Sequence, residues 1–141
     1  MRPTRKADVP ELTSADLALL RGRNFAHVAA IRPDGSPHVT VMWVDASDDG
    51  HVLLNSAVGR VKDRHLRRDP RVSVTVHEEG DGYTWLRVDG RVVEFVTGEE
   101  AEAHIDVLNR RYHEGVPWKH VPGQERVIYR IRPDRVLSRS E

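Results

Sequence analysis

The chain has 141 residues, with 22 Lys and Arg balanced by 22 Asp and Glu, 8 His and no Cys. That length builds a single core, and zero net charge speaks against a nucleic-acid or anionic-membrane binder, while the lack of cysteine excludes disulfides, a thiol nucleophile and thiolate-held metals. No apolar run approaches the roughly 18 residues of a membrane span, and the N-terminus lacks an apolar signal core, so the chain reads as one soluble, cytoplasmic domain over 1–141.

Residues 1–12, with two prolines and little periodicity, read as a flexible arm. Thr13 and Asp16 have the spacing of a capping box, which opens a short helix closed by Gly22. Segments 25–32 and 37–45 flank the turn Pro33-Asp34-Gly35 and predict a β-hairpin, with Val39, Val41 and Trp43 on one face. After the turn 47–50, residues 51–55 make a third strand. Segment 60–68 suits a helix stopped before Pro70. Val72, Val74 and Val76 alternate with polar residues in a half-buried strand. A long strand follows over 83–96, bent or bulged at Gly90. A second helix runs from 98 to about 112, acidic at its start as the helix dipole favours. A loop rich in Pro and Gly spans 115–123, and Val127, Tyr129 and Ile131 alternate in a last strand that ends before Pro133. Six strands with two or three short helices leave no room for a parallel βαβ sheet, so the expected fold is mainly β: an antiparallel sheet closed as a small barrel.

Chemistry has few places to sit. There is no G-x-S-x-G elbow, and the eight histidines form neither H-x-H nor H-x-x-x-H, so no metal site is expected. His27 shares a strand face with Phe25, Ala29 and Ile31 and reads as a hydrogen-bonded barrel histidine. Segment 60–71 is different. It carries Arg60, Lys62, Arg64, Arg67, Arg68 and Arg71 against only Asp63 and Asp69, and the polar residues Asn55 and Ser56 lead the chain into it. Free N–H groups at a helix start beside guanidinium and ammonium groups make a phosphate or carboxylate site; a solvated basic face is the plainer alternative. A nucleic-acid backbone fits less well, because the segment offers no aromatic ring for bases to stack on. Trp43 and Trp85 lie in strands, where they either fill the core or wall a pocket for a flat ring. Together with the basic segment they suggest a planar ligand with an anionic tail, such as a flavin or deazaflavin.

The hairpin 25–43 and the segment 55–72 resemble the opening hairpin and the phosphate-binding turn of the pyridoxamine-phosphate-oxidase-like, FMN-binding split β-barrel superfamily. The resemblance covers about residues 13–135 and is greatest to its deazaflavin/flavin-dependent class B oxidoreductases, which use coenzyme F-420. It implies a six-stranded antiparallel Greek-key split barrel and a homodimer with cofactor between the subunits. It also implies that Arg60 and Lys62 hold the cofactor phosphate and that Asn55 and Ser56 contact the tail. Val41, Met42 and Trp43 would lie along the ring, with Trp85 closing the pocket from the partner. The implied function is hydride transfer between reduced F-420 and a small organic substrate. Reduced deazaflavin reacts poorly with dioxygen, so a reductase is expected and not an oxidase. The alternatives are FMN on the same fold, as a flavin reductase or oxidase, and a non-catalytic deazaflavin-binding protein. Residues 135–141 offer no counterpart of the C-terminal substrate-binding residues of pyridoxamine-phosphate oxidases proper, so vitamin B6 oxidation is not expected.

Overall fold

The structure is a computed structural model and describes residues 10–139. The flexible-arm expectation therefore lies outside the described residues over 1–9, while Leu12 packs against the core. Helix α1, Ser14–Arg21, begins at the expected capping box: Thr13 Oγ1 accepts the Asp16 N–H at 3.1 Å and Asp16 Oδ2 accepts the Thr13 N–H at 3.0 Å. Strands β1 (Phe25–Ile31) and β2 (Pro37–Trp43) form the expected hairpin, in register from Phe25 opposite Trp43 to Ile31 opposite Pro37. The short β3 (Asp45–Ala46) turns back into β4 (Val52–Ala57), and α2 (Val61–Arg68) follows. Next come β5 (Arg71–Glu78), the long β6 (Asp81–Thr97), α3 (Glu99–Tyr112) and β7 (Arg126–Arg139).

Every strand pair is antiparallel, in the order β2-β1-β5-β6-β7-β4-β3. The sheet curls until β2 approaches β4 without sharing a ladder, which gives a split barrel. It has seven strands where six were expected, because Asp45 and Ala46 pair with Leu53 and Val52. The last strand also corrects its expected end, since β7 runs through Pro133 to Arg139. Pro133 sits opposite Gly90 at a bulge with Asp134 as the extra residue, and past Ile131 β7 has no β4 neighbour, so the missing N–H interrupts no second ladder. Gly90 is required there: a Cβ would stand 2.2 Å from the Arg132 carbonyl oxygen.

Inside the barrel, Ala26, Val28 and Ala30 of β1 meet Val72, Val74 and Val76 of β5 and Val127, Tyr129 and Ile131 of β7. Leu20 of α1 and Leu66 of α2 join the same core; full burial of such a side chain contributes about 1.5–3 kcal/mol. With the even-numbered residues of β1 turned inward, His27 faces outward and is exposed, stacking on His77 at 6.4 Å between ring centres; it is not a barrel-interior histidine. In β2 the inward residue is Met42, while Val39 and Val41 are 57% and 58% exposed. Helix α3 lies outside the barrel, with Ala101 on Leu53 and Ile128 and with Ile105, Leu108 and Tyr112 on Trp43 and Trp118.

Candidate anion site at the head of helix α2

The end of β4 delivers the chain to α2 through Gly59, whose φ of +91° few other residues would adopt. At the same level β7 begins: Ala57 pairs with Arg126, and the Val58 N–H donates to the Glu125 carbonyl at 2.8 Å. This pairing brings Arg126 beside Arg60, the N-cap of α2, and Lys62 in its first turn. In the same turn, Asp63 anchors the helix. It is 1% exposed and accepts from the Gly59 N–H at 2.9 Å, from Tyr129 Oη at 2.9 Å and from Arg67 Nε. Burial, then the hydrogen bond to the Asp63 carboxylate, pushes the Tyr129 phenol up. Since Asp63 takes one of the donors at the helix start, anion binding falls mainly to the side-chain cations.

Among the described residues those cations have no acidic ion-pair partner: no carboxylate forms an ion pair with Arg60, Lys62 or Arg126. Burial, then Arg60 and Arg126, pushes the Lys62 ammonium below its ordinary value. Burial and Arg60 likewise lower Arg126, against an opposing pull from Glu102 and Tyr129. A site whose positive groups destabilise one another gains from an anion that answers all of them.

Arg126 is only 6% exposed and is fixed on several sides. Its Nε donates to Asn55 Oδ1 at 3.0 Å, its Nη1 donates to Gln124 Oε1 at 3.0 Å, and its guanidinium lies 5.2 Å from the ring centre of Trp118. The Trp118 N–H donates to Asp106 Oδ1 of α3 at 2.7 Å, which holds the loop over the site.

The residues singled out from the sequence fall into three places. Arg60, Lys62 and, through Arg126, Asn55 gather at the head of α2. Ser56 is buried on the opposite face of β4 from Asn55, toward the barrel interior that holds Tyr129 and Asp63. Met42 is in the core. Val41, Trp43 and Trp85 lie on the outer face of the sheet. Val41 is opposite His27, Trp85 is opposite His77, and Trp43 stacks on Tyr112 at 5.0 Å with 7° between the planes. Trp43 and Trp118 pack on the same side of α3, so that helix spans from the cations to the edge of β2. On the outer face a cavity of about 460 Å³ also opens between β1, β5 and β6, but its Arg91 is answered by Asp134 and its Arg71 by Asp69. Arg126, Trp118 and His104 stand at or behind this site, and the sequence pattern did not mark them. They lie 42 residues or more from the segment 55–62, and no local spacing connects them.

Residues 12–140 match the family model described as pyridoxamine 5'-phosphate oxidase. The chain belongs to the pyridoxamine 5'-phosphate oxidase family. No match was found among curated proteins. Among solved structures, this family member is similar to an F-420 reductase, with 31% identity, a TM-score of 0.73 and coverage of 85% of this chain and 94% of that one. It is also similar to a conserved hypothetical protein from Mycobacterium tuberculosis, with 28% identity, a TM-score of 0.71 and coverage of 98% and 90%. It shares the fold alone with HupZ of Group A Streptococcus, at 14% identity, a TM-score of 0.63 and coverage of 89% and 93%. The family and the split barrel agree with the resemblance carried by the hairpin 25–43 and the segment 55–72. The cations at the head of α2, which form no ion pair with a carboxylate of the described residues, fit the phosphate of a flavin or deazaflavin. No helix among the described residues is long and apolar enough to cross a membrane.

Proposed function

We propose that this protein is a cytoplasmic, F-420-dependent reductase, a homodimer that holds the cofactor between subunits and reduces a small organic substrate. The observation that carries the reading is the unanswered pair Arg60 and Lys62 at the head of α2, in a chain 31% identical to an F-420 reductase. When bound, the deazaflavin supplies the hydride chemistry, which is why a catalytic triad is not needed. The protein's part is to bind, orient and shield. Arg60 and Lys62 hold the phosphate by charge-assisted hydrogen bonds. The barrel keeps β2 rigid, so that Val41 and Trp43 offer a fixed apolar wall. The exposed outer face with Phe25, Val39 and Val41 is the surface that a second copy would cover, bringing Trp85 toward the neighbour's site.

Titrating coenzyme F-420 and FMN into cofactor-free protein, with sedimentation of the same samples, tests the reading. Tight F-420 binding by a dimer, with F-420-linked reduction of an unsaturated substrate, supports it. Preference for FMN transfers the same site to the flavin alternative. Tight F-420 binding without turnover of any substrate would leave a deazaflavin-binding protein. A monomer that binds F-420 tightly would refute the shared site.

A further inference from the structure

Behind Arg126 runs a chain of buried and half-buried polar groups from three elements. Asp45 of β3 accepts from Arg111 Nη1 at 3.1 Å through Oδ1, and its Oδ2 lies 3.0 Å from His104 Nε2. His104 Nδ1 lies 3.1 Å from Asn55 Nδ2, which also donates to the Ala101 carbonyl at 3.1 Å, and Asn55 Oδ1 accepts from Arg126 Nε. These contacts allow one assignment of donors. Arg126 Nε and the Ala101 carbonyl fix the Asn55 amide with its oxygen toward Arg126 and its nitrogen toward α3. The Asn55 nitrogen then donates to His104 Nδ1, which puts the imidazole proton on Nε2, where it donates to Asp45. Asp45 stays charged despite its burial, because the bond from His104 and the Arg111 guanidinium outweigh desolvation and hold its carboxyl below the usual range.

The arrangement is directional. Each member has its donor or acceptor role set by the one before it, and the chain ends on a guanidinium beside two other cations with no carboxylate of the described residues in ion-pair reach. Such a chain does what an acid beside Arg126 could not do: it fixes the guanidinium without neutralising it. A carboxylate at the Asn55 position would hold Arg126 as firmly but would cancel the charge an anion needs. The neutral amide leaves that charge available, and the Asp45 charge is kept two residues away.

We propose that Arg126 is a third ligand for the bound anion and that Asp45, His104 and Asn55 are positioning residues that aim it. This rests on the reading of the α2 head as the cofactor-phosphate site. It gives Asn55 an indirect role through Arg126 in place of contact with the cofactor tail.

The test is fluorescence titration of coenzyme F-420 and of FMN into cofactor-free full-length variants, each melted thermally alongside. Arg126→Met is expected to weaken binding about tenfold, the loss of one charge-assisted hydrogen bond. His104→Leu, which cannot accept from Asn55, is expected to lose several-fold. His104→Gln, which can both accept from Asn55 and donate to Asp45, stays within about twofold of wild type. In the Arg126→Met background His104→Leu adds no further loss, because its effect runs through Arg126. Full additivity of the two losses, or unchanged affinity in His104→Leu, overturns the relay. Should His104→Leu not fold, Arg126→Met decides, since unchanged affinity there overturns the third ligand. Lys62→Ala separates the two levels. If it weakens binding while Arg126→Met does not, only this proposal fails. If Lys62→Ala leaves affinity unchanged, or wild type itself binds neither cofactor, the cofactor reading fails and the proposal falls with it.

Discussion

The basic segment 60–71 is uniform in sequence and divided in structure. In its second half every arginine but one has a partner: Arg67 donates to Asp63, Arg68 to the Ile31 carbonyl, and Arg71 to Asp69. Arg64 is exposed. In the first half Arg60 and Lys62 form no ion pair with an acid of the described residues and are joined by a third cation from β7. The two halves have similar charge density, so density does not mark the site. What distinguishes them is whether the fold itself supplies the counter-charge. Surface cations paired locally contribute little and are screened by salt, whereas converging cations that the fold does not answer, with Lys62 half-buried and Arg126 buried, are costly unless a ligand joins them.

That difference sets the largest expected effect. The double variant Arg60→Ala with Lys62→Ala is expected to lower cofactor affinity at least about a hundredfold, since each group makes a charge-assisted hydrogen bond worth about 1.5–3 kcal/mol. Calorimetric titration with F-420 and with FMN measures it. Near-normal affinity in the double variant would make the two halves equivalent after all and reduce the head of α2 to a solvated face.

The two halves share one anchor, and loosening it comes next. Tyr129→Phe removes a donor to the buried Asp63 carboxylate, with an expected loss of about 1–3 kcal/mol in stability by urea unfolding. Asp63 also holds Gly59 and Arg67, so affinity should weaken with stability. A stable variant with intact binding would show that α2 does not depend on this bond.

Much of this fold was legible from local pattern. The capping box at Thr13, the hairpin across Pro33-Asp34-Gly35, the stop before Pro70 and the bulge at Gly90 all depend on a few adjacent residues. The strand beyond Pro133 was not, because a proline is tolerated there only through its position opposite Gly90, 43 residues away in sequence. Strand alternation gave the faces of β1 and β2 but not which of them was interior, and so His27 was misassigned. The site was half legible. Arg60 and Lys62 stand out as charge, whereas Arg126 and His104 reach Asn55 across 71 and 49 residues and carry no local signal.

The second half of the segment has its own pH response. His65 is buried against His38 and near Arg68, Arg32 and Arg64; burial first, then these charges, push its imidazole below its ordinary 6.5. The unfolded chain takes up this proton as the pH falls through about 6.5, while the folded chain resists until a lower pH. Between those values the unfolded state binds more protons. The stabilisation tied to neutral His65 is therefore complete above 6.5 and declines as the pH is lowered through that window. Urea midpoints at about pH 7.5 and about pH 5.5 should differ more for wild type than for His65→Gln. An equal pH response in both would remove His65 from the account.

The smallest effect is the sharpest control. Like Arg60, Arg71 is basic and exposed, but it is held by Asp69 through two hydrogen bonds, at 3.0 Å from Nε and 2.7 Å from Nη2. That pairing raises the Arg71 pKa and lowers that of Asp69 to about 2, so each answers the other and neither is free for a ligand. Arg71→Ala should change affinity for F-420 and FMN by less than about twofold, at low salt as well as high. A phosphate contact would instead behave like Lys62, with a large loss at low salt that shrinks as salt screens the remaining cations. If Arg71→Ala weakened binding as much as Lys62→Ala does, the anion would be attracted by the total charge of the segment. Partnering would then not separate its two halves, and the assignment of Arg126 as a directed third ligand would have no basis in charge.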